Sequence, residues 1–270
     1  MRDPKRRLLA AWLQGDGIEV GALNHPLWVP DTARVRYVDR LTLEEQRRHY
    51  PEFAGARLTP VDLVGDAVDL ACIDDESVDF VIANHLVEHV EDPIATLLTF
   101  ERVLKPGGVA YLAIPEQRST FDRTRELTTV EHLLREHDEG TDTTRREHYV
   151  DWARNVMRNE NDPETHAERL MAEEYSIHFH CWQADTFLDF FVAARQKVGL
   201  DFEIVVFAPP ERPDDSEFIL ILAKGRFGPV RIPPPPLPEA PLSLRDRLAR
   251  TPLGPPVRMM KRALRARRRS

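Results

Sequence analysis

Five histidines lie beside short apolar runs or close to them: His25, His85, His89, His178 and His180. An imidazole with an ordinary pKa near ~6.5 is the side chain best suited to move a proton at neutral pH. His85 follows directly on Asn84 at the end of an apolar run, which places it to act as a base or to orient an acceptor. His178 and His180 are two apart, so in an extended segment they face one side together. There they can contact a substrate or, with a carboxylate, a divalent ion. Two histidines alone make a poor metal set, and no metal is assigned. His89 reads more readily as a helix cap or a partner of backbone groups.

A second set of residues is acidic and small. Ile18-Glu19-Val20-Gly21-Ala22-Leu23-Asn24-His25 ends an apolar run with a glycine that lets the backbone turn close to a ligand. Asp39 stands 20 residues beyond Glu19, the usual separation at which a carboxylate reaches the ribose hydroxyls of a bound nucleoside. Gly65-Asp66-Ala67 and Asp74-Asp75-Glu76-Ser77-Val78-Asp79-Phe80 follow. Arg102-Val103-Leu104-Lys105-Pro106-Gly107-Gly108 then predicts a sharp helix end that releases the chain into a strand.

These groups need elements to hold them. Val-, Ile- and Phe-rich runs alternate with amphipathic stretches, the pattern of strands buried on both faces by helices. Strands are expected at 17–20, 35–39, 58–62, 78–84, 109–114, 202–208 and 218–223, with crossover helices at 43–50, 93–104 and 184–198. The last two strands are joined by a short polar loop that suits an antiparallel hairpin. Residues 116–181 form a charge-rich helical insert after the fifth strand, with helices around 130–137 and 145–157. An insert at that point is placed to cover a crevice at the strand ends.

Ten of the 22 prolines fall after residue 228, so the domain is read as 1–228, followed by a Pro-rich linker and basic tail at 229–270. Residues 226–270 hold 12 Lys/Arg and 2 Asp/Glu against 25 and 43 in the remainder, so the net charge of -8 divides into a body of -18 and a tail of +10. An acidic body is a poor match for a phosphate backbone, which argues against nucleic acid as a substrate. The tail is either solvated or docks on an anionic membrane surface or a partner protein. No apolar run reaches membrane-span length and no signal-peptide core is evident, so a cytoplasmic protein is expected, with Cys72 and Cys181 reduced.

With these motifs in register, the chain resembles the class I S-adenosylmethionine-dependent methyltransferases of the ubiquinone-type, methyltransferase-11-like group. The resemblance is strongest over residues 15–115 and extends to about 225; its most specific part includes Glu88-His89-Val90-Glu91-Asp92-Pro93. Gly21 to Pro26 and Ile177-His178-Phe179-His180-Cys181-Trp182 are similar to a bacterial subgroup associated with glycosyltransferases and sugar-modification loci. The resemblance implies an α/β, Rossmann-like seven-stranded methyltransferase sheet with S-adenosylmethionine as cofactor. Glu19 and Gly21 would underlie its methionine part, Asp39 would hold its ribose, Asp66 with Ala67, or else Asp62, would flank its adenine, and Asn84 would line the floor near the sulfonium. The chain has Leu23 and His25 where the family pattern has glycines; Asn24 is the residue expected to take the left-handed turn instead.

O-methylation of a sugar or other hydroxylated small metabolite is the function expected, with His85, His178 and His180 around the acceptor. Trp152 and Trp182 serve either as stacking faces or as core. The alternative is a catalytically silent methyltransferase-like scaffold whose basic tail recruits a glycosyltransferase or membrane. A nicotinamide-dependent dehydrogenase is disfavoured because no Gly-x-Gly-x-x-Gly turn follows the first strand.

Overall fold

The computed structural model describes residues 4–53, 55–159, 161–213 and 215–225, all within one compact unit. The expected domain end at 228, the tail and its membrane or partner contacts lie outside the described residues. Seven strands form one sheet: β1 (Gly15–Val20), β2 (Ala33–Asp39), β3 (Leu63–Val64), β4 (Val78–Asn84), β5 (Leu104–Pro115), β6 (Phe202–Ala208) and β7 (Glu217–Lys224). Their order is β3-β2-β1-β4-β5-β7-β6, with the first five parallel and β7 antiparallel to both β5 and β6. This is the expected methyltransferase-type sheet with its C-terminal hairpin. The carboxyl ends of β1, β2, β4 and β5 share one edge, and the chain reverses direction of winding between β1 and β4, where α/β sheets place their ligand crevice.

Alternation along the strands divides the core in two. Val81, Ala83, Ala110 and Leu112 face one layer, in which α3 (Pro93–Val103) and α7 (Ala184–Val198) supply Leu97, Phe100, Phe187 and Phe190. Phe80, Ile82, Tyr111 and Ala113 face the other, covered by α1 (Pro4–Leu9) and the following Ala10 and Leu13, with Leu27. Each crossover helix is locally encoded. Thr42 and Glu45 form a capping box on α2 (Leu43–His49), Asp92 caps α3 ahead of Pro93, and Gly199 ends α7 in the left-handed region.

Two expectations are corrected. Only Leu63–Val64 pairs as the third strand, against Val38 and Asp39, whereas 58–62 does not join the sheet. Pro60 cannot donate to a ladder, and Asp62 instead spends its side chain and its amide on the backbone of Tyr37. The Lys-Pro-Gly-Gly segment is not the end of a helix. α3 stops at Val103, Leu104 already pairs with Val78, and residues 105–108 form a bulge before Val109 pairs with Phe80.

Among the described residues the insert contains three α-helices, in keeping with the expectation of at least two: α4 (Val130–Glu139), α5 (Arg145–Asn155) and α6 (Pro163–Ala172). The last two enclose a small core of Tyr149, Trp152, Ala153, Ala167 and Leu170, closed by Ile177 and Phe179. The connection from β1 to β2 has no helix, an unusual crossover for a parallel pair. No helix of the described residues is long and apolar enough to cross a membrane.

At Gly17, in the middle of β1, a Cβ would lie 2.3 Å from the Phe80 ring. Gly17→Ala should therefore destabilise the fold by ~1–3 kcal/mol, the usual cost of overpacking a core. Urea denaturation checks this; an unchanged midpoint would show that the Phe80 ring yields without cost.

Candidate active site

The tip of β1 is fixed by a buried carboxylate. Glu19 is 1% exposed, and both of its oxygens accept from the Leu27 amide, at 3.0 and 3.1 Å, while Oε1 also accepts from Asn84 Nδ2 at 3.2 Å. Burial drives its pKa up to about 7 in spite of these bonds. Between Glu19 and Leu27 the chain turns at Gly21, with φ of +70°, and again at Leu23, with φ of +46°. The left-handed residue is thus Leu23 and not Asn24, the reverse of expectation. The Leu23 carbonyl accepts from the Thr59 amide at 2.6 Å, which helps hold this costly conformation. Leu23 and Asn24 are half-buried and His25 is exposed.

Asp39 and Asn84 end strands at the same edge of the sheet, and Asp62, Asp66 and Ala67 flank β3. Asp39 ends β2 half-buried; burial raises its pKa, opposed by bonds from the Leu41 amide at 2.9 Å and the Gln46 side chain. Asp62 accepts from the Tyr37 amide at 2.8 Å, and Asp66 accepts from Val68 at 3.0 Å in a local turn. The Ala67 side chain is buried in the core beside Leu70 and Ile73. Asn84 ends β4, and its Oδ1 is buried with no hydrogen-bond partner. An orphaned buried acceptor suits a donor from a ligand.

Beyond Asn84 the chain enters the left-handed region at His85, with φ of +50°, and the His85 amide bonds to Ala113 O at 2.9 Å. Its Nε2 lies 2.8 Å from Glu217 Oε2, and Glu217 is clamped through both oxygens by Arg6. Burial opposes a charged ring, but the Glu217 bond and the nearby Glu88 outweigh it and hold the His85 pKa above its ordinary value. Burial likewise opposes ionisation of Glu217, yet Arg6 and His85 bring its pKa down to about 2.

Facing His85 is a second imidazole system. His178 Nδ1 lies 2.7 Å from Asp122 Oδ2, and Asp122 is itself held by Arg125 at 2.9 Å. Between the two histidines sits Glu88, 1% exposed, with no hydrogen-bond partner on either oxygen. Its Oε1 is 3.7 Å from His85 Nδ1 and 4.0 Å from His178 Nε2. His89 bonds through Nδ1 to the Ile177 carbonyl at 2.8 Å, and burial pushes its pKa down to about 3.

Residues 32–112, under a third of the chain, match the family model described as a methyltransferase domain. The matched stretch supports a class I methyltransferase. Such a domain implies S-adenosylmethionine as its cofactor. The match begins after the Gly21 loop, so the departing first motif lies outside it. No curated protein matches the chain significantly. Among solved structures, a SAM-dependent methyltransferase from Methanosarcina mazei is 18% identical over 79% of this chain and 94% of its own, with a TM-score of 0.41. One from Aquifex aeolicus is 12% identical over 82% and 89%, with a TM-score of 0.44. One from Thermotoga maritima is 17% identical over 82% and 91%, with a TM-score of 0.41. Likenesses this distant add nothing to the activity.

His178 and His180 do not share a side. A bend at Phe179, whose amide bonds to the Glu88 carbonyl at 2.7 Å, sends the two rings into different clusters. His180 is fully buried among His132, Glu136 and His148. Trp182 belongs to the core, packed on Phe187 and Phe190. Trp152 is buried beside His178, but Phe121, 52% exposed, lies over both, with ring centroids 4.8 Å from His178 and 5.5 Å from Trp152.

Glu217, Glu88, Asp122 and Phe121 were not singled out from the sequence. Glu88 stood inside a quoted motif but carried no role, and Asp122 and Phe121 gave no spacing signal within a polar insert. Glu217 becomes visible only once β7 is known to run antiparallel, because that places its first residue opposite Pro115, at the carboxyl tip of β5.

The His85–Glu217 pair makes a testable statement about pH. The His85 pKa is raised, so its contribution to stability is complete below the ordinary histidine pKa and is lost as pH rises through the folded value. The depressed Glu217 contributes above the ordinary carboxylate pKa and is lost as pH falls towards about 2. Glu217→Gln should lower the His85 pKa measured by NMR titration; an unmoved titration would show that Glu217 does not support the imidazolium.

Proposed function

We propose that the chain transfers a methyl group from S-adenosylmethionine to a hydroxyl of a small acceptor, with sugars as the class that fits best. One observation carries this reading: His85, at the tip of β4, has Nε2 engaged by a clamped carboxylate, while Nδ1, on the opposite side of the ring, lies 3.7 Å from Glu88 Oε1. A carboxylate in that position fixes the tautomer and supports the imidazolium, which equips Nδ1 to take a proton from a hydroxyl.

The bound cofactor supplies a methyl group on a positively charged sulfur, released by in-line displacement with a neutral leaving group. The residues present fit such a molecule. Asp39 would accept from ribose hydroxyls, the orphaned Asn84 Oδ1 would accept from the methionine ammonium, and Gly21 turns the backbone in the left-handed region beneath it. Glu19 acts at one remove by holding Asn84 and the Gly21 loop. Asp66 with Ala67, or else Asp62, would flank the adenine, and Asn24 would contribute from the loop after Gly21.

On the acceptor side, a sugar needs an apolar face for its ring and fixed polar partners for its hydroxyls. The exposed Phe121 ring offers the face, and His178, oriented by Asp122, offers a partner. His180 is left without direct acceptor contact in this reading, since its ring is buried in the insert.

Asp39→Ala should weaken cofactor affinity about 10-fold to 100-fold in calorimetry, the loss of charge-assisted hydrogen bonds. His85→Ala should cut turnover of sugar acceptors with labelled cofactor while sparing cofactor affinity. No cofactor binding by the wild-type chain at millimolar concentration would refute methyl transfer, and normal turnover in the His85 variant would remove that residue from the chemistry.

A further inference from the structure

The insert holds a cluster that methyl transfer does not use. His132 and Glu136 are four residues apart on α4 and so share a face; His148 comes from α5 and His180 from the segment ahead of α7. Their ligand atoms all lie within 4.8 Å of one another. His132 Nε2 is 3.2 Å from His148 Nε2 and 3.0 Å from Glu136 Oε1, and His148 Nε2 is 2.7 Å from that same oxygen. His180 Nε2 is 3.6 Å from Glu136 Oε2.

As a hydrogen-bond network this is lopsided. Oε1 of Glu136 faces two imidazoles and also accepts the Thr144 hydroxyl, while the buried Oε2 has no hydrogen-bond partner. The ring nitrogens of His132 and His148 point at one another, where only one can usefully carry a proton. In a tetrahedral zinc site the ligand atoms lie ~2.0–2.1 Å from the ion and hence about 3.3 Å from each other. The observed separations bracket that value.

We propose that His132, Glu136, His148 and His180 bind a divalent transition-metal ion, with zinc the best match to three imidazoles and one carboxylate. Neutral imidazoles and a carboxylate suit zinc without any thiolate. Glu136 would gain the partner its Oε2 lacks, and the Thr144 hydroxyl would orient the carboxylate from behind. His180, fully buried, would exchange its contact with the Glu91 carbonyl for the ion. His132 is partly exposed and offers the route of entry. The exposed Arg135, now beside His132 Nδ1, would give way as that nitrogen takes the proton. Bound there, the ion ties α4 and α5 to the segment that also carries His178, and so anchors the acceptor side of the methyltransferase site. The proposal stands whether or not methyl transfer does.

The test uses the full chain purified without metal-affinity resin. Elemental analysis should find one equivalent of zinc or a related ion, and cobalt added after chelation should give the visible spectrum of a tetrahedral site. Chelation should lower Tm by about 5–10 °C, with zinc restoring it. His132→Ala, at a partly exposed position that tolerates change, and Glu136→Gln should each reduce bound metal at least ~10-fold, the scale of a lost ligand or its support, while Glu88→Gln retains it. No uptake by the wild-type chain from micromolar zinc would overturn the proposal. So would retention of metal in both insert variants with its loss in Glu88→Gln, which would place the ion at Glu88, His89 and His178 instead.

Discussion

The strand tips are held together by the buried carboxylate of Glu19. It reaches across from β1 to Asn84 at the end of β4 and down to the amide of Leu27, so one side chain sets both walls of the crevice. Removing it would orphan the Leu27 amide and the Asn84 side-chain amide, each at a cost of ~1–3 kcal/mol. Its own burial leaves its ionisation balanced near neutrality, so a positive charge brought into the crevice favours the carboxylate form. The glycines that ordinarily shape this loop are replaced by a different solution. The irregular segment after Gly21 is tethered at Leu27 by Glu19 and at Leu23 by Thr59, and a leucine is kept in the left-handed region.

On the other side of β4 the sheet topology does comparable work. A strand added antiparallel beside β5 begins where the parallel strands end, so Glu217 arrives at the site edge as a consequence of chain direction. Arg6, from the opposite end of the sequence, fixes that carboxylate, and the carboxylate fixes His85. An imidazole held in this way depends on three segments remote in sequence, and each link is a charge-assisted bond at a partly buried position, where such bonds are strongest.

How much of this was legible follows from the same physics. Apolar runs disclosed β1, β4, β5 and β7, because burial on both faces writes a continuous hydrophobic signal, whereas the half-exposed β2 and β6 showed through their Val, Ile and Phe content, and α2, α3 and α7 through their place between strands. β3 was misplaced because an edge strand of two paired residues writes almost none, and Pro60 together with Asp62 diverts the preceding segment to other bonds. Spacing in an assumed extended chain put His178 and His180 on one side, and a single bend at Phe179 undid it. Partners such as Glu217, Asp122 and Glu136 are ordinary acidic residues in the sequence; only the fold brings them within 3 Å of an imidazole.

The insert shows why polar composition did not mean a passive loop. Its small apolar core is flanked by buried ionic groups, Arg125 with Asp122 and Glu136 with its histidines, and Arg125 also reaches the half-buried Asp151. Burying such groups adds little stability by itself, and breaking one costs several kcal/mol because its partner is left uncompensated. A network of that kind tolerates few alternative packings, whereas an apolar surface of similar area could slide. The insert is thereby fixed in register against Glu88 and the 177–182 segment, and this fixes His178 opposite His85. The His178 side of the strand-tip crevice is set by charge pairing in the insert, as the β1 side is set by Glu19.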